Sequence, residues 1–337
     1  MRSSSTTTRH GVAPASDQDF DALVEAHRRM LHAHCYRMLA SLHDADDALQ
    51  ETLLRAWKGL DRFDGRSSVR TWLHTIATNV CLRAVERRQR QLLPIDTGPG
   101  STVSTASWER LDVWPDPYPT GGADGPEDVA LRSETLGLAF VAAAQLLPPS
   151  QRAVLLLREV HGYSARETAT MLDLSAAAVN SSLQRARRTL AEHPALRSHP
   201  SDQLEPAQRG QLAHQYVDAW ETGDLQAVLD LLTADATFQM PPMATWFDGR
   251  AAIAEFLPTG PLRDVWRMVP TEANGQLAFG CFAWDAGVQR FEGHSLDVVS
   301  VAHGQINGIT SFLLPQLLPH FGLPSRLDLT RDTAPPP

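Results

Sequence analysis

A helix-turn-helix pattern between residues 164 and 190 constrains this chain more than any other stretch. Ser164 and Glu167 form an S-x-x-E capping box, which predicts a helix that begins at the next residue. Residues 173–174 break its apolar pattern, and Ser175 is a candidate N-cap for a second helix. The second helix has an apolar stripe at intervals of four, three and four residues, formed by Val179, Leu183, Ala186 and Leu190.

The opposite face of the second helix is polar and basic. It carries Asn180, Ser181, Gln184, Arg185 and Arg188. Arginine and glutamine can bond base edges, and arginine and serine can bond phosphates, so this face has the chemistry of a DNA-reading helix. The same pattern is compatible with an ordinary amphipathic helix pair that has a solvated polar face, and this stretch alone leaves both interpretations open.

Length and composition indicate a globular protein with two or three domains. The chain has 337 residues, of which 43% are hydrophobic and 20% are charged. No apolar run approaches the roughly 20 residues of a membrane span, and residues 1–16 read as a disordered tail without the apolar core of a signal peptide. Cys35, Cys81 and Cys281 are far apart, which predicts reduced thiols and a cytoplasmic location.

The distribution of charge says more than the net charge of −9. Residues 55–90 contain nine Arg and Lys against three Asp and Glu, whereas residues 205–337 contain seven against fifteen. Nucleic-acid binding depends on a local basic surface and not on the total, so the early basic segment keeps that function open.

Residues 17–92 have the pattern of a helical domain with an acidic helix. We expect its second helix to begin near Asp44, with Asp46, Asp47 and Glu51 in the first two turns. Negative charge is favourable at a helix N-terminus, and it could equally form a docking surface for a basic partner. His32, His34 and Cys35 lie close together, but their spacing is not a zinc signature, and we expect no metal or cofactor.

A long basic helix is predicted from Val69 to about Arg90. Its predicted core side consists of Leu73, Ile76, Ala77, Val80 and Ala84. Arginines occupy its last two turns, which is also favourable for the helix dipole. Trp72 adds an aromatic ring to this basic surface, a combination that suits unstacked bases of single-stranded nucleic acid.

The rest of the chain changes character three times. Residues 93–128 are rich in Pro, Gly and Ser and predict a flexible linker, although Trp108, Trp114 and Tyr118 suit a segment that partly packs on a neighbour. Residues 129–200 predict a second helical domain. Residues 206–325 predict an α+β domain, two helices followed by a meander, and residues 326–337 a disordered tail.

Three long segments resemble the extracytoplasmic-function, or group IV, sigma factors of the sigma-70 family. They are DADDALQETLLRAW at 44–57, FDGRSSVRTWLHTIATNVCLRAVERR at 63–88, and LPPSQRAVLLLREVHGYSARETATMLDLSAAAVNSSLQRARRTL at 147–190. The resemblance implies a multidomain chain that begins with two all-α domains, sigma-2 and a helix-turn-helix sigma-4. It also implies a function: binding core RNA polymerase and directing initiation at specific promoters.

The resemblance assigns three groups of residues to three partners. The first group, the docking face, is expected to contact the clamp helices of the β′ subunit of core polymerase. It consists of Asp44, Asp46, Asp47, Gln50, Glu51, Leu54 and Trp57. The β and β′ subunits are both expected partners. The −10 face, toward the melted promoter element, is Arg66, Arg70, Trp72, Asn79, Arg83, Arg87 and Arg88. The −35 face, in the major groove, is Ser175, Ala177, Asn180, Ser181, Gln184, Arg185 and Arg188.

The third domain resembles the SnoaL-like group of the NTF2 fold, a cone with a pocket between a curved sheet and helices. The matching segments are YVDAWETGDLQAVLDLLTADATFQMPP at 216–242, TWFDGRAAI at 245–253 and PTEANGQLAFG at 270–280. The fusion resembles the mycobacterial SigG-like branch, in which the extra domain is understood as a regulator in cis. The charge split leads us to expect an intramolecular contact between this acidic domain and the basic ones, and no membrane partner.

Catalysis in the third domain would need a carboxylate or histidine that points into the pocket. The candidates are Asp218, Asp235, His294 and Asp297, and the last two lie three apart in a strand, which predicts opposite faces. We therefore assign no catalytic residue and expect no enzyme. Seven apolar side chains could line the pocket or simply fill the core: Trp220, Phe238, Met240, Trp246, Phe279, Phe282 and Trp284. The alternative function is a helix-turn-helix regulator whose NTF2-like domain senses a ligand or is a vestigial enzyme.

Overall fold

The computed structural model describes residues 17–86, 91–120, 137–192 and 204–328. The chain forms two compact units, of which unit 1 comprises residues 1–89 and 147–189, and unit 2 comprises residues 90–146 and 190–337. Among the helices in these described ranges, none is both long and apolar enough to cross a bilayer.

The helices are numbered in chain order. Those of the first half are α1 (Asp17–Leu39), α2 (Leu42–Gly59), α3 (Val69–Val85) and α4 (Leu138–Gln145). Those of the helix-turn-helix region are α5 (Pro149–Leu155), which continues as a π-helical turn over Leu156–Val160, α6 (Ala165–Leu172) and α7 (Ala176–Ala191). The later ones are α8 (Pro206–Glu221), α9 (Leu225–Asp230) and α10 (Arg250–Phe256).

In unit 1, α1, α2 and α3 pack against one another as a three-helix bundle. The start of α2 differs from the prediction: the cap is Ser41, whose hydroxyl accepts a hydrogen bond from the backbone N–H of Asp44 at 3.3 Å. A serine hydroxyl one residue before the helix reaches the third helical N–H, so Asp44 becomes part of the first turn and does not cap it.

The buried face of α3 is wider than the single stripe predicted. Leu73, Ala77 and Val80 are buried as expected, but Ile76 and Ala84 are partly exposed. The structure also buries His74, Thr78 and Cys81. The reason is that α3 contacts α1 and α2 and also α5 and α6, so two sides of the helix are covered.

The helix-turn-helix forms as predicted. The Ser164 hydroxyl accepts from the Glu167 N–H at 3.2 Å, and the Glu167 carboxylate accepts from the Ser164 N–H at 2.8 Å. Asp173 ends α6 in the left-handed region with φ of 53°, and the Ser175 hydroxyl accepts from the Ala178 N–H at 3.1 Å. The predicted stripe, Val179, Leu183, Ala186 and Leu190, is buried.

Unit 2 contains a curved seven-stranded sheet. Its strands are β1 (Leu232–Gln239), β2 (Trp246–Asp248), β3 (Trp266–Ala273), β4 (Gln276–Asp285), β5 (Arg290–Ala302), β6 (Gln305–Phe312) and β7 (Arg326–Leu327). The strand order is β2-β1-β6-β5-β4-β3, with β7 on β5, and only the β1–β6 pairing among these is parallel. α8 packs on β3 and α10 packs on β1 and β2, which confirms the predicted fold class.

Two predicted boundaries in unit 2 need correction. Residues 91–120 do not form a free linker, because Ser101 N–H donates to the Trp246 carbonyl and Leu111 N–H to the Pro242 carbonyl, each at 2.7 Å. Tyr118 is buried: its carbonyl accepts from the Asn274 N–H, and its own N–H donates to the Asn274 side-chain oxygen. The predicted C-terminal tail also begins too early, since residues 326–327 pair with β5.

Helix α4 lies within the compact unit 2 and contacts its sheet. Leu138 N–H donates to the Gln276 side-chain oxygen at 2.7 Å, and the Leu138 side chain packs with Ala273 and Ala278. Residues 1–16, 87–90, 121–136, 193–203 and 329–337 lie outside the described residues, and with them Arg87, Arg88 and Arg90 of the predicted basic helix.

Replacing Ser164 with Ala should destabilise the start of α6 by about 0.5–2 kcal/mol, because it removes the cap of the Glu167 N–H. The pKa of Glu167, which hydrogen bonds from Ser164 hold below 4.5, should rise. Native-state hydrogen exchange of the first α6 amides and an NMR titration measure the two effects. Ser67→Ala, at an exposed residue before α3, is the control, and equal protection in both variants would contradict the capping role.

Candidate polymerase-docking and nucleic-acid surfaces

The docking face on α2 is an apolar pair within an acidic and amide rim. Leu54 and Trp57 are 55% and 44% exposed, which is unusual for large apolar side chains one turn apart on a helix. Asp46, Asp47 and Gln50 are exposed on the preceding turns. A surface of this composition suits a partner helix that is basic and apolar.

Three predicted members of the docking face are buried or form ion pairs. Asp44 is buried, 9% exposed, in the first turn of α2. Glu51 is partly buried and forms an ion pair with Arg55 at 2.6 Å. Asp46 remains exposed but pairs with His32 at 3.2 Å. The acidic character of the face therefore depends on fewer free carboxylates than the sequence indicates.

The −10 face follows the turn before α3 and the helix itself. Arg66, Arg70 and Arg83 are exposed, and Arg66 pairs with Asp64 at 2.7 Å. Trp72 is half-buried, with its ring centroid 4.9 Å from that of Phe63. These residues combine cations with an aromatic pair on one segment, as a single-strand binding surface requires.

Asn79 is the least available member of the −10 face. It is partly buried, and its side-chain amide donates to the Thr75 carbonyl of the same helix at 2.8 Å. Its carboxamide oxygen is the group that could still accept from a base. Arg87 and Arg88 lie outside the described residues.

The −35 face on α7 is exposed at every position. Ala177, Asn180, Ser181, Gln184, Arg185 and Arg188 follow one another at alternating intervals of three residues and one residue and form a continuous strip, with Ser175 at its N-terminal end. The Arg185 guanidinium donates to Ser182 at 3.1 Å, which orients it along the helix. Arg187 lies off this strip and pairs with Glu159 at 2.5 Å.

A buried histidine cluster in unit 1 was not predicted. The Nδ1 atom of His34, on α1, is 2.9 Å from Nε2 of His161. The Nδ1 atom of His74, on α3, is 2.7 Å from the Tyr163 hydroxyl. Burial lowers the pKa of His34 to about 3 and the pKa values of His74 and His161 well below 6.5. Sequence spacing could not reveal the cluster, because its members come from three distant segments.

Unit 2 contains a cavity of ≈ 240 Å³ with a buried carboxylate in its wall. Asp297 accepts hydrogen bonds from Tyr216 at 2.8 Å, Ser311 at 2.6 Å and Ser295 at 3.4 Å. Burial raises the pKa of Asp297, while the hydrogen bonds from Ser311 and Tyr216 oppose the shift. The surroundings of Asp297 can therefore accommodate its carboxyl group in either protonation state, next to the apolar part of the cavity.

The predicted opposite facing of His294 and Asp297 is wrong, since both line this cavity. Ser295 pairs with Cys281 and Gly293 pairs with Phe282, so His294 is an extra residue in β5. Such a β-bulge resets the alternation of side chains. Asp218 and Asp235, the other candidates, are exposed and do not line this cavity.

The apolar side chains divide between the two roles left open by the sequence. Trp220, Phe238 and Met240 line the cavity. The other four do not line it, and they are Trp246, Phe279, Phe282 and Trp284. Phe279, for example, stacks on Tyr216 with the ring centroids 4.2 Å apart. The cavity wall is thus aromatic at α8 and β1 and polar at β5.

Comparison with known proteins matches each part of this architecture to a family. Residues 23–91 match Sigma-70 region 2, residues 138–190 match Sigma-70 region 4, and residues 213–309 match the SnoaL-like domain. The chain belongs to the extracytoplasmic-function RNA polymerase sigma factors, in a form with a C-terminal SnoaL-like domain. This confirms the resemblance seen in the sequence.

Its relatives cover different shares of the chain. ECF RNA polymerase sigma factor SigG of Mycobacterium tuberculosis is 41% identical over 94% of this chain and 88% of its own length. Sigma factor SigM of the same organism is 32% identical over 51% of this chain and 75% of its own length. The crystal structure of M. tuberculosis SigJ has the same fold, with a TM-score of 0.60 and 21% identity over 90% of this chain and 100% of that one.

Asp297→Asn tests the buried carboxyl through its pH dependence. Because the folded-state pKa is raised above 3.8, the folded chain keeps this proton longer than the unfolded chain, and stability falls as pH rises through that window. The slope is at most about 1.4 kcal/mol per pH unit. The free energy of unfolding of wild type relative to the variant should therefore fall from pH 4 upward and then level off, as measured by denaturant unfolding. A difference independent of pH would contradict the raised pKa.

Proposed function

We propose that this protein binds core RNA polymerase in the cytoplasm and directs initiation at promoters whose −10 and −35 elements it reads. The observation that carries the proposal is the −35 face: a continuous exposed strip of amide, hydroxyl and guanidinium groups on a helix whose other side is buried. Membership of the sigma family indicates a transcription factor and not an enzyme, and we assign no catalytic role to His294 or Asp297.

The docking face supplies the contact with core polymerase in this proposal. Leu54 and Trp57 are its centre, because exposed apolar side chains lose most water on binding, and Asp46, Asp47 and Gln50 form its rim. Of the core subunits, we propose β′ as the partner of α2 and β as a partner of the helix-turn-helix region.

Distance implies that unit 1 opens when both promoter elements are bound. The −10 and −35 elements lie about 25 base pairs apart, or about 85 Å along B-DNA. A compact unit of about 130 residues is only about 36 Å across. The contacts that would have to break are buried ones: His34 to His161, His74 to Tyr163, and the Arg152 guanidinium on the Met38 carbonyl.

The C-terminal domain is placed to regulate this opening in cis. The segment between the two reading regions is bonded to the sheet of unit 2 at Trp246, Pro242 and Asn274. A segment that is fixed along a sheet cannot extend between two distant promoter elements. We infer that release of residues 91–120 from unit 2 accompanies promoter binding, and that the domain tunes activity through this attachment.

The cavity favours a second candidate function, a helix-turn-helix regulator with a ligand-sensing domain. Its buried Asp297 and aromatic walls could hold a small apolar molecule that has a hydrogen-bonding group. The two functions separate by their need for core polymerase. A regulator of this kind binds its DNA site alone, whereas a sigma factor does so with core.

Run-off transcription with the full chain and core polymerase is the decisive test of the proposal. Promoters are selected from fragmented genomic DNA of the source by their retention with core plus this protein. We expect initiation at defined sites that needs this chain. Equal retention of the same DNA without core, together with no transcript, would favour the second candidate.

Arg185→Ala should weaken promoter-specific initiation by about 1–3 kcal/mol if the side chain reads a base, with relaxed specificity at one position. Arg188→Ala should weaken initiation by the same amount if Arg188 contacts a base. If Arg188 contacts only a phosphate, the loss should be smaller and the salt dependence of promoter binding shallower. Arg187→Ala is the matched control, because it removes an arginine of the same helix that pairs with Glu159. Promoter titrations at several salt concentrations measure all three, and equal losses would contradict the assignment.

Leu54→Ala and Trp57→Ala should each weaken binding to core polymerase by more than about 1 kcal/mol, because the pair forms the apolar centre of the docking face. Val288→Ala is the control, since Val288 is a 52% exposed apolar residue in unit 2. Fluorescence anisotropy of labelled protein with core gives the dissociation constants. Unchanged binding in both α2 variants would remove this face from the interface.

Truncation after Ser201 tests regulation in cis. It removes the sheet that fixes residues 91–120, so the truncated chain should initiate at the same promoters with a higher fraction of active complexes. In vitro transcription with matched amounts of both chains measures this change. Identical activity on every promoter tried would contradict a regulatory role of the domain.

A further inference from the structure

The histidine cluster of unit 1 brings three imidazoles together from three segments. His34 comes from α1, His74 from α3 and His161 from the end of the π-helical turn, and each is buried. One ring nitrogen from each lies within 4.8 Å of the others. The ring centroids are 4.2 to 5.2 Å apart.

Hydrogen bonding fixes the tautomer of His34. The Thr78 hydroxyl donates its proton to the His74 carbonyl at 2.7 Å. Its oxygen must therefore accept from His34 Nε2–H, which lies 2.9 Å away. The Nδ1 of His34 therefore carries a lone pair and accepts from His161 Nε2–H at 2.9 Å. In a complex with a metal at both atoms, this proton moves to His161 Nδ1.

His74 contributes a second nitrogen that is unsatisfied. Its Nδ1 bonds to the Tyr163 hydroxyl at 2.7 Å, which orients the ring. Its Nε2 is buried and has no hydrogen-bond partner among the described residues. A ring held by a hydrogen bond at one nitrogen, with the other nitrogen bare, is the arrangement of metal-bound histidines.

The state of the three rings also suits a metal. Burial, the largest cause in each case, lowers the pKa values of all three imidazoles and keeps them neutral. Neutral imidazole is the form that coordinates ions of the zinc and copper type, whereas magnesium and calcium prefer oxygen ligands. Zn–N bonds of 2.0–2.1 Å put ligand nitrogens about 3.4 Å apart, so small ring rotations would close the site.

We propose that His34, His74 and His161 form a binding site for one divalent transition-metal ion, with Zn²⁺ as the ion that the three-imidazole set fits best. The ion would join the α1–α3 bundle to the segment that leads into the helix-turn-helix. It would therefore stabilise the compact form of unit 1. The site itself does not depend on the proposed function, so the two can fail separately.

The test uses the full chain without a histidine tag, freed of metal by chelation. Zn²⁺ titration by calorimetry gives stoichiometry and affinity, and Co²⁺ gives visible absorption bands that report the ligand geometry. We expect one ion per chain and a higher midpoint of thermal unfolding with Zn²⁺. His74→Gln should weaken binding at least about tenfold, because it removes one of three ligands.

His320→Gln is the matched control, since His320 is exposed in unit 2, and it should bind Zn²⁺ like wild type. If His74→Gln fails to fold, X-ray absorption of the wild-type Zn²⁺ complex decides, because it detects three imidazole nitrogens at 2.0–2.1 Å without any variant. Absence of a one-to-one complex at about tenfold excess of Zn²⁺, or equal affinity of folded His74→Gln and wild type, would overturn the proposal. Run-off transcription by the metal-free chain reports on the promoter function independently.

Discussion

The contact between the three-helix bundle and the segment Pro149–Leu172 decides what unit 1 can do. Its polar part is buried and consists of the His34–His161 and His74–Tyr163 hydrogen bonds, with Arg152 on a carbonyl of α1. Buried hydrogen bonds of this kind are costly to leave unpaired, which favours a packed or a fully separated contact over a loosened one. A two-state contact suits the opening of unit 1 that we propose for promoter binding.

We propose that unit 2 acts on the same equilibrium through the chain that connects the two regions. Residues 91–120 have a composition that forms neither helix nor strand, yet they are held by backbone hydrogen bonds to β1–β2 and to the β3–β4 turn. The free energy of that attachment adds to the free energy needed for opening. Any molecule that filled the cavity beside Asp297 would alter the same sheet, and so the cavity and the linker share one structural element.

The sequence predicts features that depend on neighbours along the chain. The capping box at Ser164 and the stripe from Val179 to Leu190 both formed as expected. Features that depend on distant partners escaped prediction. His34 and His161 are 127 residues apart, and no spacing rule connects them. The bulge at His294 shifts a side chain to the other face without any mark in the residue pattern.

For the site residues too, features set by neighbours along the chain could be predicted, and features set by more distant contacts could not. Exposure on α7 could be predicted because the helical period places polar residues opposite a clear apolar stripe. Burial of Asp44 could not, because it depends on Ser41 beginning the helix three residues earlier. Composition identified residues 93–128 as irregular, but irregular backbone can be fully bonded to a sheet when its amides find carbonyl partners.

We propose that unit 1 opens to place the −10 face and the −35 face on separated promoter elements. Energy transfer between dyes on Arg62→Cys and Thr189→Cys measures it directly, because both positions are exposed and the native cysteines are buried. We expect a short distance in the free chain that increases to about 80 Å in the complex with core polymerase and promoter. A distance that stays short in a transcribing complex would contradict it.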